Sequence, residues 1–254
     1  MNRLMTFDKY RVFETEFAGR PLKVETGKMT QLANGACLVH YGDTTVHVAV
    51  TASEKPREGV DFFPLSVDYE EKMYAVGKIP GSYLKREGRP SEKAILTSRV
   101  IDRPIRPLFD KSMRNDVSIV CTVMSVDLDC SPEITAMIGA SIAISISDVP
   151  WNGPISGCSV GMIDGEYIIN PTEAQRAVSK MATTVCKCLD SLKHIVVRLK
   201  TCKLKLRLAD FSLDALNKLN NLLVSLVTCH NSVVHIVIRY AVCTCLDHSN
   251  SCAC

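Results

Sequence analysis

The chain has 254 residues, 46% hydrophobic and 22% charged, and its formal net charge at pH 7 is +3. This composition is that of a globular protein and excludes wholesale disorder, and so small a net charge does not by itself indicate a polyanionic partner. No apolar run approaches the roughly 20 residues that a membrane-spanning helix needs. The first residues contain no apolar signal segment, so we expect a cytoplasmic protein without a membrane partner.

The composition changes near residue 185. Residues 186–254 contain eight of the twelve cysteines but no glycine, proline or glutamate, although turns and helix ends normally need glycine and proline. The segment is either a genuine cysteine-rich module or the product of a shifted reading frame, and its composition favours the second. We therefore predict one domain over residues 7–185 and a divergent, poorly folded tail over 186–254. Its Cys-x-Cys pairs match zinc spacing poorly.

The first half of the chain contains signals for strands and one helix. Residues 37–53 form a predicted hairpin around a Gly42-Asp43 turn, and residues 62–69 form a short strand. Ser91 is placed to cap a helix that we expect to end near Asp102, because Pro104 disfavours helical geometry in the residue before it. The β-branched run over residues 117–126 is typical of a strand covered on both faces.

A second helix and a second hairpin follow. Ser131-Pro132-Glu133 is a helix start that leads into residues 134–146, and the small residues of this helix would let it lie close against a sheet. Asp164-Gly165 is a two-residue turn signal within a predicted hairpin over residues 158–170. Hairpins followed by helices indicate a mixed α/β domain rather than a regular parallel βαβ series.

The stretch over residues 77–90 is the strongest functional signal in the residues themselves. Glycines and prolines punctuate it, and it carries Tyr83, Lys85, Arg86 and Arg89. Cations neutralise phosphates and an aromatic ring stacks on any base, so such a loop suits single-stranded nucleic acid. The alternative is a solvated basic loop with Tyr83 packed on the core.

Three arginines follow the loop. Arg99 and Arg103 are four residues apart and share a face if the helix reaches that far, and Arg106 lies between two prolines. Guanidinium groups suit phosphate oxygens better than ammonium groups do. The alternative is a structural ion pair between Asp102 and Arg99 or Arg106.

Other polar residues give weaker signals, and we assign no catalytic or metal-binding residue. His40 and His47 are seven apart in a strand pattern, which places them on opposite faces. An acidic cluster suits helix capping better than metal binding, and it consists of Asp127, Asp129 and Glu133.

Ordered motifs over about residues 7–185 resemble the first ribonuclease PH-like core of the bacterial polynucleotide phosphorylases. The motifs are Gly27-Lys28, Tyr41-Gly42-Asp43-Thr44, Asp61-Phe62-Phe63-Pro64-Leu65, Gly77-Lys78-Ile79-Pro80-Gly81-Ser82, Arg86-Glu87-Gly88-Arg89-Pro90-Ser91, the run from Arg99 to Phe109, Met137-Ile138-Gly139-Ala140-Ser141 and Asn152-Gly153-Pro154-Ile155. The resemblance implies an α/β (α+β) ribonuclease PH-like fold, with a ribosomal protein S5 domain 2-like sheet packed with helices.

The resemblance also implies a function. Members of the family are 3′-to-5′ exoribonucleases of mRNA degradation that use inorganic phosphate as co-substrate and release nucleoside diphosphates. They form homotrimers, join RNA-decay assemblies and hold Mg²⁺ in a second core. An aromatic-aromatic-basic-basic loop grips RNA, and it matches Tyr83, Leu84, Lys85 and Arg86 here, with Leu84 in place of the second aromatic residue. The alternative is a non-catalytic core that binds RNA and builds the ring.

Overall fold

A computed structural model describes residue 7 and residues 9–81, 89–188 and 196–199, and side chains as far as residue 186. This part of the chain forms two sheets with a buried helix packed against both of them. The predicted mixed α/β architecture is confirmed.

The first sheet has six strands in the order β1-β2-β3-β4-β6-β5. They are β1 (Arg11–Phe17), β2 (Arg20–Thr26), β3 (Gly35–Tyr41), β4 (Thr44–Pro56), β5 (Leu65–Glu71) and β6 (Asn115–Ser125). Neighbouring strands are antiparallel except β5 and β6, which are parallel. The predicted hairpin is confirmed as β3 and β4, and its turn places Gly42 at a φ of 57°, which suits glycine.

The second sheet has the strand order β10-β9-β7-β8. Its strands are β7 (Ile155–Ile163), β8 (Glu166–Ile169), β9 (Ala182–Cys188) and β10 (Val196–Leu199). The predicted Asp164-Gly165 turn joins β7 to β8 with φ values of 50° and 83°, as a type I′ turn requires. Strand β9 runs through the domain boundary predicted at Val185, and the division of the chain at that residue stays a prediction.

Within the described residues, three α-helices accompany the sheets: α1 (Glu92–Ile105), α2 (Pro132–Ile146) and the short α3 (Glu173–Val178). As predicted, α1 is capped by Ser91, whose hydroxyl accepts a hydrogen bond from the Ala94 amide at 3.1 Å. The predicted end at Asp102 is wrong, because α1 continues through Pro104 to Ile105. Both of these last residues are buried, so core packing holds the final turn in place.

Helix α2 lies at the centre of the described core. Every residue from Ile134 to Ile144 is buried, and the helix contacts β3, β4 and β7. A Cβ atom on Gly139 would lie 2.7 Å from Cγ2 of Val48, which confirms the expected close approach to the sheet.

Strand β6 differs from its prediction. Its buried residues alternate with partly exposed ones, and Val120 is 37% exposed. It is therefore covered on one face only, because α2 packs on one side of this sheet.

No helix in the described part of the chain is long and apolar enough to cross a membrane.

Candidate nucleic-acid interface

The structure fixes both ends of the predicted RNA loop. Before it, a 3-10 turn over Met73–Val76 is tied to the sheet by a hydrogen bond from the Val126 amide to the Ala75 carbonyl at 3.2 Å. After it, the capped start of α1 begins at Ser91. Three predicted contact residues lie outside the described residues, namely Tyr83, Lys85 and Arg86.

Helix α1 presents two of the predicted arginines to solvent. Its buried face includes Ala94, Thr97 and Ile101, and the helix packs on β5. Arg99 and Arg103 lie on the opposite, exposed side, and their four-residue spacing puts their Cβ atoms about 6 Å apart. None of the carboxylates that the structure describes forms an ion pair with either guanidinium. The two cations are therefore available to an anionic partner.

Arg89 is also exposed, and it lies between the loop and Ser91. Two aliphatic side chains share the outer side of α1 with the arginines: Ile95 is 39% exposed and Leu96 is 43% exposed. The surface thus combines positive charge with modest apolar area. We name Arg89, Ile95, Leu96, Arg99 and Arg103 the α1 face.

Arg106 has a different environment. Its guanidinium donates to both carboxylate oxygens of Asp102, with a shortest distance of 2.7 Å, and also to the carbonyls of Phe63 and Leu65 at 3.0 Å each. These bonds join the end of α1 to the start of β5. Arg106 and Asp102 therefore form the structural ion pair that was the alternative to an RNA contact. An additional RNA contact by Arg106 stays a prediction.

A cleft of about 240 Å³ opens at the N-terminus of α2. Lys93 and Thr183 are among the residues that line it. The ammonium of Lys93 lies 3.6 Å from a carboxylate oxygen of Glu71 and 3.3 Å from one of Glu133. The Thr183 hydroxyl is buried and has no hydrogen-bond partner among the described residues. Sequence reasoning missed Lys93 because its two partners are 22 and 40 residues away.

The two histidines occupy the same face of the first sheet, so the prediction of opposite faces is wrong. His40 on β3 is opposite Thr45, and His47 on β4 is opposite Leu38. The turn between the strands reverses the chain, which breaks the simple alternation assumed over seven residues. His40 Nδ1 lies 3.0 Å from Thr45 Oγ1 and His47 Nε2 lies 2.9 Å from Thr30 Oγ1, so each imidazole has its own hydroxyl partner.

The two aspartates of the acidic cluster accept hydrogen bonds from backbone amides. A carboxylate oxygen of Asp127 accepts a hydrogen bond from the Asp129 amide at 3.1 Å, and one of Asp129 accepts from the Glu173 amide at 2.9 Å, in the first turn of α3. Glu133 occupies the first turn of α2. Within the described ranges, no group of three or more histidine, cysteine, aspartate or glutamate side chains could hold a metal ion.

Sequence comparisons match these elements to one family. A profile of the 3′ exoribonuclease family, domain 1, matches residues 18–150, and a profile of domain 2 of that family matches residues 153–209. The first match contains the α1 face, and the second runs past Val185.

Curated relatives are similar over the same region. The polyribonucleotide nucleotidyltransferase of Ruminiclostridium cellulolyticum is 68% identical over 186 residues, which are 73% of this chain and 26% of that protein. Its counterpart in Clostridioides difficile is 61% identical over 177 residues, or 70% of this chain and 25% of that protein. The chain thus spans about a quarter of the length of these relatives. The resemblance inferred from the sequence motifs is confirmed.

Solved structures share the fold. An Archaeoglobus fulgidus exosome structure with RNA bound to its active site matches with a TM-score of 0.61 and 18% identity, covering 91% of this chain and 90% of that chain. Rice Rrp46 matches with a TM-score of 0.58 and 14% identity, covering 89% and 92%. These matches confirm the predicted ribonuclease PH-like architecture.

Proposed function

Because the chain belongs to the 3′ exoribonuclease family, we propose that it serves phosphorolytic 3′-to-5′ degradation of RNA as an N-terminal portion of a polyribonucleotide nucleotidyltransferase. The observation that carries the proposal is the 68% identity over 186 residues to a protein of that name. In this reaction an oxygen of inorganic phosphate attacks the phosphorus of the terminal phosphodiester. The 3′ oxygen of the shortened RNA leaves, and a nucleoside diphosphate is released.

In this proposal, the described part of the chain contributes RNA binding. Arg99 and Arg103 carry two positive charges on a helix whose inner face is held by the core. A guanidinium presents a preorganised planar set of donors, so it loses less conformational entropy per hydrogen bond to phosphate oxygens than an ammonium does. The neighbouring aliphatic side chains Ile95 and Leu96 offer contact to the less polar parts of a nucleotide.

The predicted loop extends the same surface. Tyr83 would stack on a base, and Lys85, Arg86 and Arg89 would contact the phosphate backbone. Gly81 and Arg89 are the described residues of this loop on either side of residues 82–88, and the loop precedes the start of α1. The proposed RNA therefore passes from the loop onto the α1 face.

In this proposal, the magnesium site lies outside the described residues. Asp127 and Asp129 hold backbone amides, and no described group of carboxylates could hold a metal ion. The described residues therefore do not fit a magnesium site. We propose that Mg²⁺ is held by a second core of the family's full-length enzyme.

A second candidate function is a non-catalytic core that binds RNA and assembles the ring. The absence of a metal-holding carboxylate group from the described residues favours it for this chain by itself. Electrostatic stabilisation of a reacting phosphate commonly contributes a factor of a hundred or more in rate, so we expect little phosphorolysis from this chain. A homotrimer, an RNA-decay assembly and a cytoplasmic location remain part of the proposal.

The activity test uses the purified chain with oligoadenylate, inorganic phosphate and magnesium chloride. We expect RNA binding but little or no ADP. Steady ADP release that Asp127→Asn or Asp129→Asn abolishes would show that this core is catalytic. It would also overturn the assignment of chemistry to a second core.

The RNA-binding test compares the salt dependence of affinity among charge-matched variants. Each lost phosphate contact reduces the magnitude of the slope of log affinity against log salt by about 0.7 for single strands. We expect shallower slopes for Lys85→Ala/Arg86→Ala and for Arg99→Ala/Arg103→Ala. The control is Lys55→Ala/Arg57→Ala, which removes the same charge from exposed positions at the end of β4. Equal slopes for all variants would contradict the proposed surface.

A further inference from the structure

Tyr74 lies at the base of the predicted RNA loop. It belongs to the 3-10 turn over Met73–Val76, which follows the end of β5 at Glu71. The turn ends in Gly77, which is also the first residue of the loop. Among the described aromatic residues, Tyr74 is therefore the nearest to this loop along the chain.

Hydrogen bonds fix the backbone of Tyr74. The Gly77 amide donates to the Tyr74 carbonyl and the Lys78 amide donates to the Met73 carbonyl, both at 3.0 Å. Gly77 has a φ of 69°, so the turn closes with the paired bonds of a Schellman motif. The side chain of Tyr74 thus starts from a fixed position directly beside the loop.

The ring of Tyr74 is accessible. Its hydroxyl donates to Met124 Sδ at 3.3 Å, and Met124 is on the same face of β6 as the exposed Val120. Tyr74 is nevertheless 54% exposed. Because the ring makes up most of the surface of a tyrosine, much of this ring is open to solvent while its hydroxyl end is held by the sheet.

The surroundings of the ring suit a nucleotide. Lys78 is exposed, and no described carboxylate forms an ion pair with its ammonium. Val76 is 56% exposed and Ile79 is 90% exposed, so one short segment presents apolar surface, an aromatic ring and a positive charge. Single-stranded nucleic acid binds surfaces of this kind, because its bases stack on aromatic rings and its phosphates attract cations.

We propose that Tyr74 stacks on an unpaired base of the RNA strand that the loop binds, at the end of the loop opposite to α1. The inference rests on the proposed RNA-binding function and adds to it a contact that recognises bases rather than charge. Every base has a π face, so the contact accepts single strands of any sequence. It disfavours duplexes, whose bases are already stacked on each other.

The test measures binding of oligoadenylate to the full chain at several salt concentrations. Tyr74→Ala should weaken binding roughly tenfold at each concentration, as the loss of one base–aromatic stack does. The slope of log affinity against log salt should stay the same, because no phosphate contact is lost. This combination distinguishes a stacking residue from the cations of the loop and of α1, whose removal reduces the magnitude of the slope.

Three further variants complete the comparison. Tyr74→Phe keeps the ring and should bind as the parent does. Tyr74→Leu keeps apolar bulk without a π face and should lose affinity as Tyr74→Ala does, so the result does not depend on how well the alanine variant folds. Phe62→Ala is the matched control and should bind as the parent does, because Phe62 is 68% exposed and precedes the opposite end of β5.

A second ligand separates the base from the charge. Inorganic polyphosphate with the same number of phosphates has no base, so Tyr74→Ala should bind it as the parent does. Equal affinities of Tyr74→Leu and the parent for oligoadenylate would overturn the proposal, as would an equal loss of affinity for polyphosphate. If Arg99→Ala/Arg103→Ala flattens the salt slope while Tyr74→Leu changes nothing, the stacking contact is refuted and the proposed function stands. If the parent does not bind oligoadenylate, both fail.

Discussion

The side-chain amide of Asn170 donates a hydrogen bond to the Tyr41 hydroxyl at 3.1 Å, and this bond connects the two sheets. Tyr41 ends β3, and Asn170 follows β8 at a φ of 48°. Asn170 also accepts a hydrogen bond from the Ser159 amide through its side-chain oxygen at 2.9 Å. Both residues are buried, so the bond is shielded from water and each partner depends on the other.

Tyr41→Phe should lower the free energy of unfolding by about 1–2 kcal/mol, because it leaves the buried Asn170 amide without this acceptor. Urea unfolding followed by circular dichroism measures the change. Tyr74→Phe is the matched control, since Tyr74 is 54% exposed and exposed substitutions usually change stability by less than about 0.5 kcal/mol. Equal midpoints for the two variants would show that the Tyr41–Asn170 bond contributes nothing.

Arg106→Lys should destabilise the protein by about 1–3 kcal/mol, although it keeps the charge. The guanidinium bonds Asp102 and the carbonyls of Phe63 and Leu65 at the same time, and an ammonium group cannot reproduce this planar set of donors. Arg103→Lys is the control, because Arg103 is exposed on α1, three residues before Arg106. Thermal unfolding of the two variants gives the comparison, and equal melting temperatures would refute the structural role.

The two hairpins were predictable because their turns depend on local residue pairs. The end of α1 and the exposed face of β6 were predicted wrongly because they depend on packing between distant parts of the chain. Gly42-Asp43 and Asp164-Gly165 form their turns because few other residue pairs adopt such φ values easily. The end of α1 was not predictable, since burial of Pro104 against the core outweighs the local preference of proline. The exposed face of β6 depends on which side of the sheet α2 covers.

The candidate site likewise has some residues that local sequence predicts and others that only long-range contacts identify. The exposed arginines of α1 follow from helical spacing, and the loop follows from its composition and from the family motifs. The partners of Arg106 and Lys93 come from separate strands and helices, so no local pattern identifies them.

Stability should depend on His47 in mildly acidic solution. Burial lowers the pKa of His47 below its ordinary value, so the unfolded chain takes up a proton at a higher pH than the folded chain does. The contribution of neutral His47 is therefore fully present above the unfolded pKa of about 6.5 and is lost as the pH falls towards the lower folded pKa.

Replacing His47 should remove part of this pH dependence. Between pH 7 and pH 5, the free energy of unfolding should fall less for His47→Gln than for the parent. Thr30→Ala is the control, because it removes the hydrogen-bond partner of His47 but keeps the titrating ring. Denaturant titrations across this pH range provide the test, and parallel pH profiles for His47→Gln and the parent would contradict it.

Limited proteolysis should separate a resistant core from the tail. The absence of glycine, proline and glutamate from residues 186–254, together with apolar runs such as residues 222–227, predicts a segment that does not extend the core cooperatively. Val185 is buried in β9 and is paired with Cys158 of β7 and with Val197 of β10, so we expect the first stable cut on the carboxyl side of β10 rather than at Val185 itself. Mass spectrometry of the resistant fragment locates this cut.

The same digestion distinguishes the two interpretations of the tail. A frameshifted or poorly folded tail is degraded at the same rate with and without added zinc, because its Cys-x-Cys pairs match structural zinc sites poorly. A genuine module resists protease as long as the core does, or becomes resistant on stoichiometric zinc binding. Either form of resistance would show that residues 186–254 fold and would refute the predicted division of the chain.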